Sequence, residues 1–256
     1  MKDNTAEAIK SKATDIEITG NFGLALDLLE NTGKNLFITG KAGTGKSTLL
    51  QHFRSTSSKN IAVLAPTGVS AVNIKGQTIH SFFGFRPDIT IDTVKRLPAR
   101  KAEMYRNIDA IIIDEISMVR ADLLDCIDTF LRYNGRDPSL HFGGIRMVFI
   151  GDLYQLPPIV TSAEKRMFKQ NYRSEYFFDA RAFEGFQAEF IELDKYYRHR
   201  DTRFIELLNS VRNNTAGPDQ IRALNERCDP NFDAGVSDGF CSIVFHAFIT
   251  STLLLH

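Results

Sequence analysis

The chain has 256 residues, 43% of them hydrophobic. That is enough for one large domain, or for one domain and part of another. Its 31 basic and 31 acidic residues cancel, which excludes a global positive field and confines any nucleic-acid contact to a local stripe. Three widely spaced cysteines, Cys126, Cys228 and Cys241, form no C-x-x-C pair; this argues against a disulfide framework or a zinc site and fits a reducing, cytoplasmic setting.

In chain order, residues 1–19 read as a polar leader that is neither a signal peptide nor a transit peptide. No run reaches the roughly 18 apolar residues of a membrane span. Short apolar runs beside turn signals predict strands at 35–39 (NLFIT), 61–65 (IAVLA), 110–114 (AIIID), 146–150 (RMVFI) and 188–193 (AEFIEL). Their apolar character on both faces is that of parallel strands covered by helices on two sides. VRADLLDCIDTFL places Val119, Leu123, Ile127 and Phe130 on one helical stripe. FIELLNSVRN does the same with Phe204, Leu207, Leu208 and Val211, behind an Asp201/Thr202 cap. Alternating strands and helices predict an α/β layered fold with a largely parallel sheet. A locally basic segment at about 84–107, holding Lys95, Arg96, Arg100, Lys101 and Arg106, reads as a small insertion.

Three stretches carry chemistry. GKAGTGKS, from Gly40 to Ser47, fits G-x-x-x-x-G-K-[ST] between an apolar strand and a helical run. Glycines 40, 43 and 45 let the backbone turn its N–H groups inward, and the following helix adds its positive end. The nucleotide-binding set is Gly40, Ala42, Gly43, Thr44, Gly45, Lys46, Ser47 and Thr48. Lys46 is placed to reach the β- and γ-phosphates of ATP, and the Ser47 hydroxyl to hold Mg²⁺. In IIIDE, Asp114 ends an apolar strand as a second Mg²⁺ holder, and Glu115 follows as the group that takes a proton from the attacking water. In IGDLYQLPPI, Asp152 and Gln155 follow another apolar strand, and a glutamine there can hydrogen-bond the γ-phosphate or the water. The bland readings are a chance glycine-rich turn, a strand ending in two exposed acids, and a turn-forming loop.

Taken with LAPTGVSAVNIKGQTIHSFFGF and YYRHRDTRFIELLNSVRN, these motifs closely resemble, over roughly residues 20 to 230, the Pif-one-like branch of superfamily-one DNA helicases, relatives of RecD. The resemblance implies a P-loop, RecA-like three-layer domain. In such motors two RecA-like domains enclose ATP and step 5′ to 3′ along single-stranded DNA, with DNA junctions as further partners. It places DNA on Pro66, Thr67 and Gly68 and on His80, Ser81 and Phe82, where hydroxyls and amides suit phosphates and flat rings suit bases. Phe83 and Phe85 read as core. It also implies that Arg198, with Arg200 a weaker candidate, complements the γ-phosphate charge, and that the basic insertion occupies the place of a duplex-splitting element. A solvated helical face is the plainer reading of that charge run. A nucleoid-associated role in repair, recombination or replication would follow in a bacterium.

Two departures from the family pattern stand out. The glutamine that reads adenine upstream of the P-loop is missing; the first glutamine is Gln51, and Asn21 with Phe22 stands in that region. Residues 20–215 read as a first RecA-like ATPase domain and 216–256 as the start of a truncated second region; the ending GFCSIVFHAFITSTLLLH does not resemble the strand–helix start of a second RecA-like domain, and the expectation is a truncated motor with its last residues read in a shifted frame. The competing classes are a nucleotide- and DNA-binding module without effective hydrolysis, and an unrelated P-loop switch or kinase.

Overall fold

The computed structural model describes residues 20–41, 43–195 and 202–226. The chain packs as two units that divide between Thr202 and Arg203. In the first unit six strands, all paired in parallel, form one sheet: β1 (Leu36–Gly40), β2 (Ile61–Ala65), β3 (Gln77–Thr78), β4 (Ala110–Ile113), β5 (Arg146–Ile150) and β6 (Glu189–Leu193). Their order is β3-β2-β4-β5-β1-β6. The connecting helices are α1 (Gly20–Asn31), α2 (Lys46–Thr56), α3 (Gly68–Asn73), α4 (Ile79–Phe83), α5 (Ala99–Arg106), α6 (Ala121–Asn134) and α7 (Ser162–Asn171). The second unit contributes α8 (Thr202–Arg212), which begins at the division, and α9 (Pro218–Asn225).

Strand periodicity builds the layers, because successive side chains point to opposite faces. Ile112, Val148 and Ile150 pack with Leu49 and Phe53 of α2 and Phe22 and Leu29 of α1. Ile111, Ile113, Met147 and Phe149 pack on the other face with Ile127, Phe130 and Leu131 of α6. β4 and β5 are buried at every position, which is why they read as unbroken apolar runs. The expectation of two apolar faces fails for β6: Glu189, Phe190 and Glu192 are exposed and only Ile191 and Leu193 are buried. β6 is an edge strand, and among the described residues no layer covers the face that carries Phe190 and Glu192.

The α6 stripe is shifted from the expected one. Val119, Ile127 and Phe130 are buried, but Leu124 joins them in the core and Leu123 is only partly buried. Cys126 is a buried free thiol on this helix, and burial followed by the Asp122 and Asp125 charges pushes it up to about 12. Cys228, Cys241 and residues 1–19 lie outside the described residues.

The basic segment is anchored rather than loose. The buried Asn134 side chain accepts from Leu97 N (2.7 Å) and donates to Lys95 O (3.1 Å) and Phe130 O (2.9 Å). Phe83, Phe85, Val94 and Tyr105 join the core beneath it. Lys95, Arg96, Arg100, Lys101 and Arg106 all stay exposed. Among the described residues no helix is long and apolar enough to cross a membrane.

Candidate nucleotide site

Three neighbouring strands, β4, β5 and β1, deliver the sequence-predicted groups to one end of the sheet. β1 ends at Gly40, whose φ of 155° is joined by 82° at Gly43 and 92° at Gly45. A Cβ at Gly40 would come within 2.5 Å of Thr44 Oγ1 and 2.7 Å of Leu193 O, so the loop closes only on glycine. Thr44 is buried, and its hydroxyl donates to Lys41 O at 2.9 Å. Gly45 caps α2 without a side-chain hydrogen bond, so no side chain of that residue competes for the amides of the first turn.

Lys46 Nζ donates to Gly40 O (2.6 Å) and Lys41 O (3.1 Å), across the mouth of the loop. Ser47 and Thr48 are partly buried in the first turn of α2. Ala42 lies outside the described residues.

The acids face this ammonium group. Asp114 follows β4 and is 6% exposed; its N–H donates to Leu64 O at 2.9 Å. Burial raises its carboxyl above the usual range, against the opposing pull of the Glu115 amide and Lys46. Glu115 is also raised, first by burial, then by Asp114, with Asp152 adding and Lys46 opposing. Its backbone sits at φ 52°, ψ 43°, a left-handed conformation that costs a non-glycine roughly 1–2 kcal/mol. Such strain belongs with functional positions when the surroundings hold it. A carboxylate raised toward neutral pH is suited to accept a proton.

Asp152 supplies a role that the sequence reading left blank. It is fully buried, with Oδ1 accepting from Tyr154 N at 3.1 Å and Oδ2 from Gln155 Nε2 at 3.3 Å. The carboxylate fixes the flip of the Gln155 amide and reserves Oε1 for another donor. The D-x-x-Q spacing, an acid hydrogen-bonding the chain two and three residues on, is the signal that could have revealed it. Beyond the prolines the loop is anchored again. Thr161 and Glu164 form the capping box of α7, and Glu164 Oε1 accepts from Arg120 at 2.6 Å. The Thr161 hydroxyl, with Arg120 next, holds Glu164 down at about 2. Gly151 allows the strand exit to pass under the acidic segment: a Cβ there would lie 2.9 Å from Ile116 Cγ2. Ser117 is buried beside it, and its Oγ has no hydrogen-bond partner among the described residues.

The DNA-side candidates separate by exposure. Pro66 and Thr67 are partly buried and Gly68 is exposed, all just beyond β2. Thr67 Oγ1 accepts from Ser70 N at 3.2 Å as the cap of α3. Ser81 is exposed and His80 half-buried on α4. Burial and then the Arg120 charge lower His80, favouring a neutral ring. Phe82 is half-buried like His80, its ring edge-on to Phe83 (4.9 Å) and Tyr105 (5.6 Å). Asn21 donates to Glu192 O at 2.9 Å, and Phe22 is core. Arg198 and Arg200 lie outside the described residues.

The donor set suits a metal-bound triphosphate: uncapped helix amides and one ammonium group for phosphate, with a hydroxyl and a buried carboxylate for a hard cation. The PIF1-like helicase family profile matches residues 24–219. The ATP-dependent DNA helicase PIF1 of Saccharomyces cerevisiae (strain YJM789) is 38% identical over 198 residues, covering 73% of this chain and 22% of that protein. The ATP-dependent DNA helicase Pif1 of Bdellovibrio bacteriovorus is 35% identical over 221 residues, covering 83% and 47%. Among solved structures, Bacteroides Pif1 bound to ssDNA matches with a TM-score of 0.77 at 37% identity, over 86% of this chain and 52% of that one. The Bacteroides Pif1 helicase in complex with ADP-AlF3 and ssDNA matches with a TM-score of 0.79 at 35% identity, over 87% and 52%. The chain therefore spans about half, or less, of the length of these relatives. With its parallel three-layer sheet and the cradle at the ends of β1, β4 and β5, it belongs to the PIF1-like helicase family.

Proposed function

We propose that this chain is the ATP-hydrolysing RecA-like portion of a DNA helicase, coupling turnover to 5′-to-3′ movement on single-stranded DNA. The observation that carries this reading is the convergence of Lys46, Asp114, Glu115 and an Asp152-oriented Gln155 at the ends of three adjacent strands. Lys46 exchanges its two loop carbonyls for phosphate oxygens. Ser47 and Asp114 would hold Mg²⁺, which would supply positive charge to the phosphates. Glu115 takes a proton from the attacking water, and Gln155 Oε1 accepts that water's other hydrogen. Arg198, outside the described residues, supplies the positive charge that complements the γ-phosphate.

Single-stranded DNA runs over Pro66, Thr67 and Gly68 and over His80 and Ser81, with the neutral His80 ring against a base. The Phe82 ring already packs in the core, so its part there is the smaller one. The relatives' activity as ATP-dependent DNA helicases supports this reading, as does a relative's complex with ADP-AlF3 and ssDNA.

The test is a Mg·ATP titration of Lys46→Ala. Loss of two charge-assisted contacts should weaken binding about 30-fold or more, roughly 2 kcal/mol. Unchanged affinity would remove the reading.

A further inference from the structure

The outer edge of the sheet carries a cleft that the nucleotide site does not use. β3 pairs with β2 only beside Leu64 and Ala65, so among the described residues Ile61 and Ala62 have β4 on one side and no strand on the other. Asn60 O accepts from Asp109 N, and Leu64 O from Asp114 N. In a parallel ladder this turns the even-numbered amides and carbonyls toward β4 and those of Ile61, with the Val63 amide, outward; the Val63 carbonyl meets the backbone that leads into β3, where a Cβ at Gly76 would lie 2.4 Å from Val63 O.

This stretch floors a cleft of about 310 Å³. Phe82, Met104 and Ile108 line it from the layer of α4 and α5, and Arg54 and Lys75 from the opposite layer. Met104 is 53% exposed. Arg54 is held in place by donating to Ile74 O and Lys75 O. No carboxylate lines the cleft. Arg100 and Lys101, four and three residues before Met104, share its face of α5 and are exposed.

We propose that this cleft docks an extended acidic segment of a partner protein by strand addition beside Ile61–Val63. Backbone amides and carbonyls of the segment complete the ladder, an apolar side chain enters against Met104 and Ile108, and carboxylates meet Lys75 and Lys101. Strand addition takes its affinity from main-chain hydrogen bonds and its selectivity from alternate side chains. Basic residues around an open edge repel a second copy of the same edge while admitting an acidic strand. A nucleic-acid strand would meet the same cations, but it has no repeat of donors and acceptors in register with a β-strand; this favours the peptide.

The experiment titrates a fluorescein-labelled peptide alternating Asp with Val and Ile against the full chain by anisotropy, with amide hydrogen exchange in parallel. Saturable binding in the micromolar range, about −8 kcal/mol or weaker, is expected, with slowed exchange at Ile61 and Val63. The Lys75→Glu/Met104→Glu double variant should bind at least about tenfold more weakly, with an unchanged melting temperature. A peptide with Lys in place of Asp should not bind. Absence of binding, protection confined to other segments, or full affinity in the double variant would overturn the proposal. Slowed exchange of the same amides by oligo(dT) that competes with the peptide would also overturn it, by giving the cleft to nucleic acid. None of these outcomes depends on Lys46 or on ATP turnover.

Discussion

The ends of β4, β5 and β1 and the outer edge of β2 and β3 belong to one sheet and are built on opposite plans. β4, β5 and β1 each pair with a strand on both sides, and β4 and β5 are buried throughout. Their exits carry buried acids, Asp114 and Asp152, against a single ammonium group. At the outer edge β3 is two residues long, part of β2 is paired with a strand on one side alone among the described residues, and the surrounding charge is positive and exposed. Chemistry that needs sub-ångström placement sits where backbone on both sides fixes it. The edge offers backbone paired on one side and exposed cations, which suit recognition.

The sharpest way to break this contrast is at Glu115. Glu115→Gln should cut any hydrolysis by about 10²–10⁴-fold while Mg·ATP binding persists, because only the proton acceptor is removed. The same substitution should stabilise the fold. Since burial, Asp114 and Asp152 raise Glu115, its stabilising contribution is greatest at low pH and is lost as pH rises through the raised value. The glutamine variant escapes that loss, so its melting temperature should exceed the parent's by about 2–4 °C at mildly alkaline pH, with the gap shrinking as pH falls. A lower melting temperature across the range would show that the acidic cluster is not under electrostatic strain.

A smaller effect is expected at the root of the basic insertion. Asn134→Ala removes three hydrogen bonds from a buried site. It should cost about 2 kcal/mol, or roughly 4–8 °C in melting temperature, with Mg·ATP affinity unchanged. An equal loss of nucleotide affinity would mean that edge and centre are mechanically one. The smallest effect is expected at Ser117, whose buried hydroxyl has no partner among the described residues. Ser117→Ala should leave stability unchanged or raise it by up to about 1 kcal/mol, read by thermal melting. A clear loss would show that an ordered water or ligand group uses that oxygen.

The centre of the molecule was more legible than its edge. β2 and β5 have the boundaries read from their apolar runs, β4 and β6 are one residue shorter at one end, and β1 is shifted by one residue at both ends. Short β3, α3 and α4 escaped the reading, since pieces of two to six residues carry too little periodicity to register. The Lys46, Asp114, Glu115 and Gln155 set was visible because each motif abuts an apolar strand end. The function of Asp152 was not, because it depends on which amide its carboxylate reaches.

Sequence alone determined the layered parallel fold, the glycine turn after β1 and the acids that follow β4 and β5, because these are local: strand runs, a glycine spacing and residues directly following a strand. Tertiary structure decided what those residues experience. Burial and mutual charge raise Asp114 and Glu115, Asp152 orients Gln155, the aromatic cluster takes up Phe82, and a short β3 leaves Ile61 open. Each of these depends on groups distant in the chain coming within a few ångströms, where desolvation, Coulomb forces and pairing are set by neighbours that no local pattern names.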